Sequence, residues 1–210
     1  MIQARHHKGY EWTFGNYLSW LIGRNFHHLD YNKIPVDTEN PLVILANHIS
    51  WWDGFIMYEI NKRYIHKKIH VLMLEEQLRK NRFLSRLGAF SIKRNDRSMV
   101  ESFNYMTELV HKPENLIIVY PQGYVHSPYD HDINFKPGII KWLEKLPITL
   151  DIWMAAVLID YSIKKKPSIE VYFKEYKDFV EYEHIEHAYK QHYQNSIDIQ
   201  KKKVISDNKV

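Results

Sequence analysis

Short apolar runs separated by helix-like segments recur along most of the chain. Leu42–Ala46 and Leu116–Tyr120 are nearly uninterrupted apolar runs, which is typical of strands buried inside a sheet. Further strands are predicted at 69–74, 88–94, 151–159 and 168–176, and helices at 75–87, 97–112, 137–145 and 180–194. This alternation predicts a single α/β domain, a mixed sheet flanked by helices, with a site where polar residues follow the strand ends.

The segment 11–29 carries tryptophans, tyrosine and aliphatic residues at helical spacing, with basic residues near its end. That composition is typical of an amphipathic helix at a membrane interface, although a helix packed on the domain that follows would look similar. We therefore expect an N-terminal membrane-interface segment at 1–34 and a main domain at 35–194. The lysine-rich remainder, 195–210, is expected to be a flexible tail.

The composition of the chain excludes several kinds of site and a membrane-spanning helix. The chain of 210 residues has no cysteine, which excludes a disulfide scaffold, a thiolate zinc site and a cysteine nucleophile. No run approaches the roughly 18 apolar residues of a spanning helix, and residues 1–8 lead into no apolar core of a signal peptide. We therefore expect a cytosolic protein that associates peripherally with the cytoplasmic face of the cell membrane.

Positive charge is concentrated in one segment. Residues 60–97 contain eleven Lys or Arg and three acidic residues, a net +8, so the remainder of the chain carries −4 and the total is +4. Such a patch favours contact with phosphate groups of a lipid, a cofactor or a nucleic acid, and its plain alternative is a solvated basic surface.

The string Asn47-His48-Ile-Ser-Trp-Trp-Asp53 follows the first buried run. Ser50 and Asp53 have the spacing of a capping box, so a helix is predicted to begin near Trp51, with His48 on the preceding loop. An Asp in that first turn can reach back to the histidine, and such a pair makes the histidine a general base for an external nucleophile. A helix cap and an ordinary loop histidine are the alternatives.

Four blocks in this order resemble the glycerolipid acyltransferases, the 1-acylglycerol-3-phosphate acyltransferase family. They are Asn47-His48-x4-Asp53, Gly88-x-Phe-x-Ile-x-Arg94, Tyr120-Pro-Gln-Gly123 and Phe135-Lys-Pro-Gly138. The resemblance implies an α/β acyltransferase domain that transfers an acyl group from acyl-CoA or acyl carrier protein to a hydroxyl of a lipid acceptor. It places the catalytic residues on His48 and Asp53 and the arginine associated with the acceptor's phosphate on Arg94. It implies no cofactor and no metal beyond the acyl donor as co-substrate.

The third block departs from the family's Pro-Glu-Gly-Thr-Arg. Gln122 keeps an acceptor oxygen but loses the charge, and Val125 replaces an arginine expected to bind phosphate. An acceptor without a phosphomonoester, such as a glycolipid, is therefore an alternative to lysophosphatidate. A catalytically weak lipid-binding relative is the other alternative.

The remaining candidate residues complete the expected site. Substrate-binding candidates are Asn47, Arg94, Gln122, Gly123, Lys136, Trp51 and Trp52. The two tryptophans are expected in the wall of the acyl or acceptor pocket or as an interfacial anchor. Backbone amides around Gly123 are one hypothesis for the oxyanion donors, which the sequence does not identify. The pairs His184/His187 and His126/His131 lack further ligands for a metal, and nucleic-acid binding would leave the His-x4-Asp string unexplained.

Overall fold

The computed structural model describes residues 1–93, 98–146, 150–161, 164–177 and 184–207, which build one seven-stranded mixed sheet with helices on both faces. The strands are β1 (Leu29–Tyr31), β2 (Leu42–Ala46), β3 (Lys68–Leu74), β4 (Ala89–Ile92), β5 (Asn115–Val119), β6 (Asp151–Asp160) and β7 (Ser168–Tyr176). The α-helices are α1 (Lys8–Asn25), α2 (Asp53–Ile60), α3 (Glu75–Lys80), α4 (Ser98–Leu109), α5 (Pro137–Leu143) and α6 (Ile185–Asp207). A π-helical turn, Asn61–Ile65, extends α2, and a 3₁₀ helix, Arg82–Leu87, follows α3. The predicted fold class is confirmed.

The order of strands brings the ends of β2 and β5 together. The order is β1-β7-β6-β2-β5-β3-β4, in which β6, β2, β5, β3 and β4 run parallel and β7 is antiparallel to β6. Leu45 on β2 pairs with Val119 on β5. The segments after these two strands therefore meet at one edge of the sheet, where sites form in open α/β folds.

Successive residues of the central strands alternate between two hydrophobic layers. Val43 and Leu45 join the layer formed with α4, α5 and α6, whereas Leu42 and Ile44 join the layer formed with α1 and α2. Because both faces are covered, the strands contain almost only aliphatic residues. This explains why β2 could be predicted from its apolar run alone.

The predicted helix at 75–87 is broken in the structure. α3 ends at Lys80, Asn81 departs from helical backbone angles, and the 3₁₀ helix takes over until Gly88. Gly88 has φ +97°, and a Cβ there would lie 1.9 Å from the Ile69 carbonyl oxygen, so only glycine fits. The 3₁₀ helix turns Phe83, Leu84 and Leu87 towards the cleft described below.

The N-terminal segment is built into the domain. Ile2 exchanges hydrogen bonds with Ser91 beside β4, at 2.7 and 2.9 Å, and β1 pairs with β7. Leu18 and Ile22 of α1 are buried in the core. Among the described residues, no helix has the length and hydrophobicity to cross a membrane.

The C-terminal segment differs from the expected flexible tail. Residues 195–207 continue α6, and residues 208–210 lie outside the described ranges. Ile197 and Gln200 are buried, and Gln200 accepts a hydrogen bond from the Tyr172 hydroxyl at 2.7 Å. Lys203 lies 2.8 Å from the Glu170 carboxylate on β7. Packing against the sheet therefore orders a segment that its lysines make look solvated.

Candidate active site

His48 and Asp53 form a hydrogen-bonded pair where the chain leaves β2. The His48 Nδ1 lies 2.7 Å from Asp53 Oδ2, and the carboxylate is fully buried. Because a carboxylate only accepts, Nδ1 carries the proton and Nε2 presents a lone pair. The His48 side chain is 27% exposed and lies in the wall of a cleft. This geometry leaves Nε2 as the nitrogen that can take a proton.

Asp53 organises the whole loop as well as the imidazole. Its Oδ2 also accepts the backbone N–H groups of Ile49 and Ser50, at 2.7 and 2.9 Å, and its Oδ1 accepts the Ser50 hydroxyl at 2.7 Å. The helix begins at Asp53 and not near Trp51, because residues 51–52 form a turn in which Ser50 Oγ accepts the Trp52 N–H. Four donors thus fix this carboxylate in place.

Gln122 anchors the same loop from the neighbouring strand. It is fully buried, and its Oε1 accepts the His48 N–H at 2.9 Å, while the His48 carbonyl accepts the His126 N–H at 2.7 Å. Gln122 therefore holds the backbone of His48 in position. Its side chain has no accessible surface, and its role in binding substrate stays a prediction.

Asn47 also acts within the protein. Its side-chain Nδ2 donates to the Val157 carbonyl at 2.8 Å, and its Oδ1 accepts the Val157 N–H at 2.7 Å. The side chain thus continues the β2–β6 pairing by one step beyond the strand. Asn47 is buried with both ends of its amide bonded, so it supports the fold, and its role in binding substrate stays a prediction.

Tyr120 begins the third block, but the sequence assigned it no role at the site. Its ring stacks on the His48 imidazole, with centroids 4.6 Å apart and planes 27° apart. Burial, and secondarily the charge of Asp53, raises the pKa of Tyr120 well above its ordinary value, so the hydroxyl stays neutral. The stacked ring restricts the rotation of His48. The long-range pairing of β2 with β5 brings the two rings together, and no local motif signals it.

An apolar cleft of about 530 Å³ runs beside His48. Most of its lining is aliphatic or aromatic and comes from α1, α2, β3 and the 3₁₀ helix, with Tyr124 and Val125 from the loop after β5. Among the described residues that line it there is no lysine or arginine. Its volume and lining suit a hydrocarbon chain.

The two tryptophans of the first block have different surroundings. Trp51 lines the cleft, is 68% exposed and packs edge-on against Phe55 at 4.6 Å. Trp52 turns away, contacts Phe26 edge-on at 5.0 Å and joins the hydrophobic layer beneath α1. Trp51 thus lies where a wall residue was expected, whereas Trp52 contributes to packing.

Of the other predicted binding residues, one lines the cleft, one lies beside it and one is outside the described residues. Gly123 lies in the cleft wall with φ +71°, and its N–H donates to the Tyr120 carbonyl at 3.0 Å, so this amide is already used within the turn. Lys136 is exposed and places its Nζ 5.0 Å from the centroid of the Tyr124 ring, one side chain away from the cleft. Arg94 lies outside the described residues.

Two of the other candidate histidines contact neighbouring side chains. His126 is buried, lies 3.1 Å from Asp130 and stacks on Tyr124, and His187 contacts Gln191. Within the described ranges, no three His, Cys, Asp or Glu side chains come together as a metal site.

Comparison with known proteins places this geometry in a family. The family model described as Acyltransferase matches residues 27–159 and so takes in β1 to β6 with the His48–Asp53 pair. Over 135 residues the chain is 29% identical to the 1-acyl-sn-glycerol-3-phosphate acyltransferase of Streptococcus pneumoniae (strain ATCC BAA-255 / R6). That alignment covers 62% of this chain and 48% of the relative, so the chain spans about half the length of the curated relative it matches. Since the family model matches more than half of the chain, the chain belongs to the acyltransferase family.

Proposed function

We propose that the chain transfers an acyl group from an acyl thioester to a hydroxyl of a lipid acceptor, with His48 as general base and Asp53 as its orienting partner. The observation that carries this proposal is the position of the pair: a histidine bonded through Nδ1 to a buried carboxylate, in the wall of an apolar cleft. The match to the acyltransferase family supports the same reaction class.

The reaction follows from these positions. The acceptor hydroxyl gives its proton to His48 Nε2 as its oxygen attacks the thioester carbonyl carbon, and Asp53 stabilises the imidazolium that forms. The tetrahedral intermediate then collapses, the carbon–sulfur bond breaks, and the imidazolium returns the proton to the leaving thiolate. The products are an ester and a free thiol. No acyl-enzyme forms, because the attacking oxygen belongs to the acceptor.

The acceptor we propose is a lipid alcohol without a phosphomonoester, used at least as well as lysophosphatidate. The described lining of the cleft contains no lysine or arginine, and the family's arginine position is taken by Val125, which is exposed in the cleft wall. A phosphate monoester would depend on Arg94, assisted by Lys136. Loss of one charge-assisted hydrogen bond weakens phosphate binding by about 1.5–3 kcal/mol.

A competition assay tests the reaction and the acceptor together. Lysophosphatidate and a monoacylated glycolipid compete for one acyl donor, supplied as acyl-CoA in one arm and as acyl carrier protein in another, and the products are quantified by mass spectrometry. We expect both acceptors to be acylated, with the glycolipid equal or preferred. A strong preference for lysophosphatidate that Arg94→Ala abolishes would refute the acceptor proposal. Lipid binding without turnover in either arm would indicate the catalytically weak relative.

We also propose that α1 docks the protein peripherally on a membrane, at the cytoplasmic face of the cell membrane. Trp12, Tyr17 and Trp20 of α1 are 72%, 52% and 55% exposed. Ring contacts run from Trp20 through Tyr17, Phe14 and Phe55 to Trp51, with successive centroids 4.6–6.0 Å apart. The last three of these side chains line the cleft. An aromatic surface therefore leads from the exposed face of α1 to the site, the path a lipid substrate needs.

Liposome flotation tests the docking surface. Because Leu18 and Ile22 are in the core, deletion of α1 would disrupt the fold, and substitution of its exposed aromatic residues is the cleaner test. The variant Trp12→Ser/Tyr17→Ser/Trp20→Ser should lose most binding to vesicles. The control Tyr129→Ser/Tyr161→Ser removes equally exposed rings elsewhere and should bind as wild type. Equal binding by all three proteins would refute this role of α1.

A further inference from the structure

A second cavity, of about 570 Å³, lies at the opposite edge of the sheet from His48. It is formed where β3 and β5 begin, at Lys68 and Asn115, whereas the proposed catalytic site lies where β2 and β5 end. The N-terminal segment closes it with Arg5 and His6. The two cavities share no lining residue, so nothing in the proposed reaction accounts for this one.

The lining of this cavity is positively charged. Arg5, Lys68 and Lys112 all border it, and all three side chains are exposed. Glu108 is the one acidic residue among its lining residues, and within the described part of the chain none of the three basic groups forms an ion pair with a carboxylate. Three unpaired cations against one anion favour an anionic ligand.

Two histidines in the same wall, the buried His70 and the partly buried His6, have nitrogen atoms without partners. His70 Nε2 lies 3.2 Å from Asn115 Oδ1, and Asn115 Nδ2 donates to the Leu109 carbonyl, so Nε2 carries the proton and Nδ1 is a bare acceptor. His6 Nδ1 lies 2.6 Å from a carboxylate oxygen of Glu11, which leaves its Nε2 as a bare acceptor. Both bare nitrogens are buried and have no hydrogen-bond partner in the described structure.

The unbound protein keeps these histidines neutral. Burial, with the charges of His6, Lys68 and Lys112, lowers the pKa of His70 to about 3, and burial with Lys68 lowers that of His6 although Glu11 opposes the shift. Arg5 adds positive charge to the same wall, and Glu108 adds negative charge. An anion bound to Arg5, Lys68 and Lys112 would offset the smaller, cationic part of this shift and would attract a protonated imidazole, which could then donate to it.

We propose that this cavity binds a phosphate-type oxyanion through Arg5, Lys68 and Lys112, and that the His6–His70 pair takes up a proton when the anion binds. The ligand class is a free phosphate or phosphomonoester, or the same group as a lipid headgroup. The rings of His6 and His70 touch edge-on with centroids 4.8 Å apart, so a positive charge on one ring disfavours a charge on the other and the pair takes up a single proton. Through the His6–Glu11 bond the ligand would also brace the start of α1.

Sulfate is the first probe, because its charge does not change near neutral pH. Calorimetric titration of the full chain at constant ionic strength, in two buffers of different ionisation enthalpy, measures affinity and proton uptake together. We expect binding with proton uptake and an affinity several-fold higher at pH 6 than at pH 8. Binding without proton uptake would overturn the role of the histidines.

Matched variants locate the site. Lys68→Gln/Lys112→Gln should weaken sulfate binding by about tenfold or more, and the exposed control pair Lys141→Gln/Lys145→Gln should bind as wild type. His6→Gln/His70→Gln should bind without the dependence on pH. Equal affinity in both lysine variants would overturn the proposal, as would binding lost in His48→Ala, which would assign the anion to the cleft.

Two further arms identify the source of the anion, and either result supports the site. Displacement of sulfate by inorganic phosphate or glycerol 3-phosphate indicates a soluble ligand. Cosedimentation with phosphatidate vesicles that depends on Lys68 and Lys112, and is absent with vesicles of neutral lipid, indicates a headgroup.

Discussion

A substitution of the buried Asp53 can remove its negative charge while keeping most of its hydrogen bonds. In Asp53→Asn, the amide oxygen can take the place of Oδ2 and accept from His48, Ile49 and Ser50. The amide nitrogen then faces Ser50 Oγ, which can accept in turn. Two backbone N–H groups on one side dictate this orientation. The histidine tautomer is therefore preserved, and besides the negative charge only the acceptor of the Ser50 hydroxyl is lost.

The Asp53 variants are expected to differ in how much stability and how much activity they lose. Asp53→Asn keeps the acceptor of the His48, Ile49 and Ser50 N–H groups, and the Ser50 hydroxyl alone must donate elsewhere, so we expect a stability loss of at most about 1–2 kcal/mol. The transition state loses the charge that stabilises the imidazolium, and we expect kcat to fall roughly 100- to 1,000-fold. Asp53→Ala removes the acceptor of all four donors in a buried site. At about 1–3 kcal/mol for each unsatisfied group, partly relieved by water, it should cost about 3–5 kcal/mol of unfolding free energy.

Denaturant unfolding and single-turnover acyl transfer measure these effects independently. The expected pattern is a stable, nearly inactive Asn variant beside an unstable, inactive Ala variant. An Asn variant with wild-type turnover would show that the charge of Asp53 has no catalytic role. An Ala variant as stable as wild type would show that the carboxylate does not organise the loop.

Three further predictions concern residues that support the site and the sheet. Gln122→Leu removes the acceptor of the His48 N–H and should lower kcat about 10- to 100-fold. Gln122→Glu keeps an acceptor and should lose far less activity, and equal losses of activity in the transfer assay would contradict this. Asn47→Ala leaves both peptide groups of Val157 unpaired and should cost about 2–4 kcal/mol in denaturant unfolding, and a loss below about 1 kcal/mol would be inconsistent with the bonds observed. The pKa of His70 is lowered from 6.5 to about 3, so between these pH values the unfolded chain binds more protons than the folded one, and stability falls as the pH drops from 6.5 towards 3. His70→Asn should flatten the dependence of Tm on pH in this range, and an unchanged slope would refute the prediction.

Much of the fold is predictable because the central strands are buried on both faces. The apolar run at 42–46 has the same bounds as β2, and the polar residues after it correctly indicate the edge of the sheet that carries His48. The end of α6 was missed because its lysines suggested a solvated tail. Ile185, Tyr189, Tyr193 and Ile197 recur every four residues and are all buried, a periodicity that extends the helix past the expected boundary.

The roles of individual site residues were harder to predict. The motif marks Asn47 and Gln122 as important, but only the structure shows that both bond to backbone groups of the protein. Tyr120 stacks on His48 because β2 and β5 are neighbours, and the two residues are far apart in sequence. Motif spacing indicates which residues a site needs. Whether a residue touches substrate depends on which strands become neighbours.

The central claim is that His48 takes the proton of the acceptor hydroxyl. The most direct test is single-turnover acyl transfer by purified wild type and His48→Ala, with acyl-CoA or acyl carrier protein as donor and unfolding curves recorded on the same samples. Because the imidazole is partly exposed on a loop, its removal should leave the unfolding curve nearly unchanged. Loss of a general base should lower the transfer rate by about 100-fold or more. A folded His48→Ala variant that transfers acyl groups at the wild-type rate would contradict the mechanism.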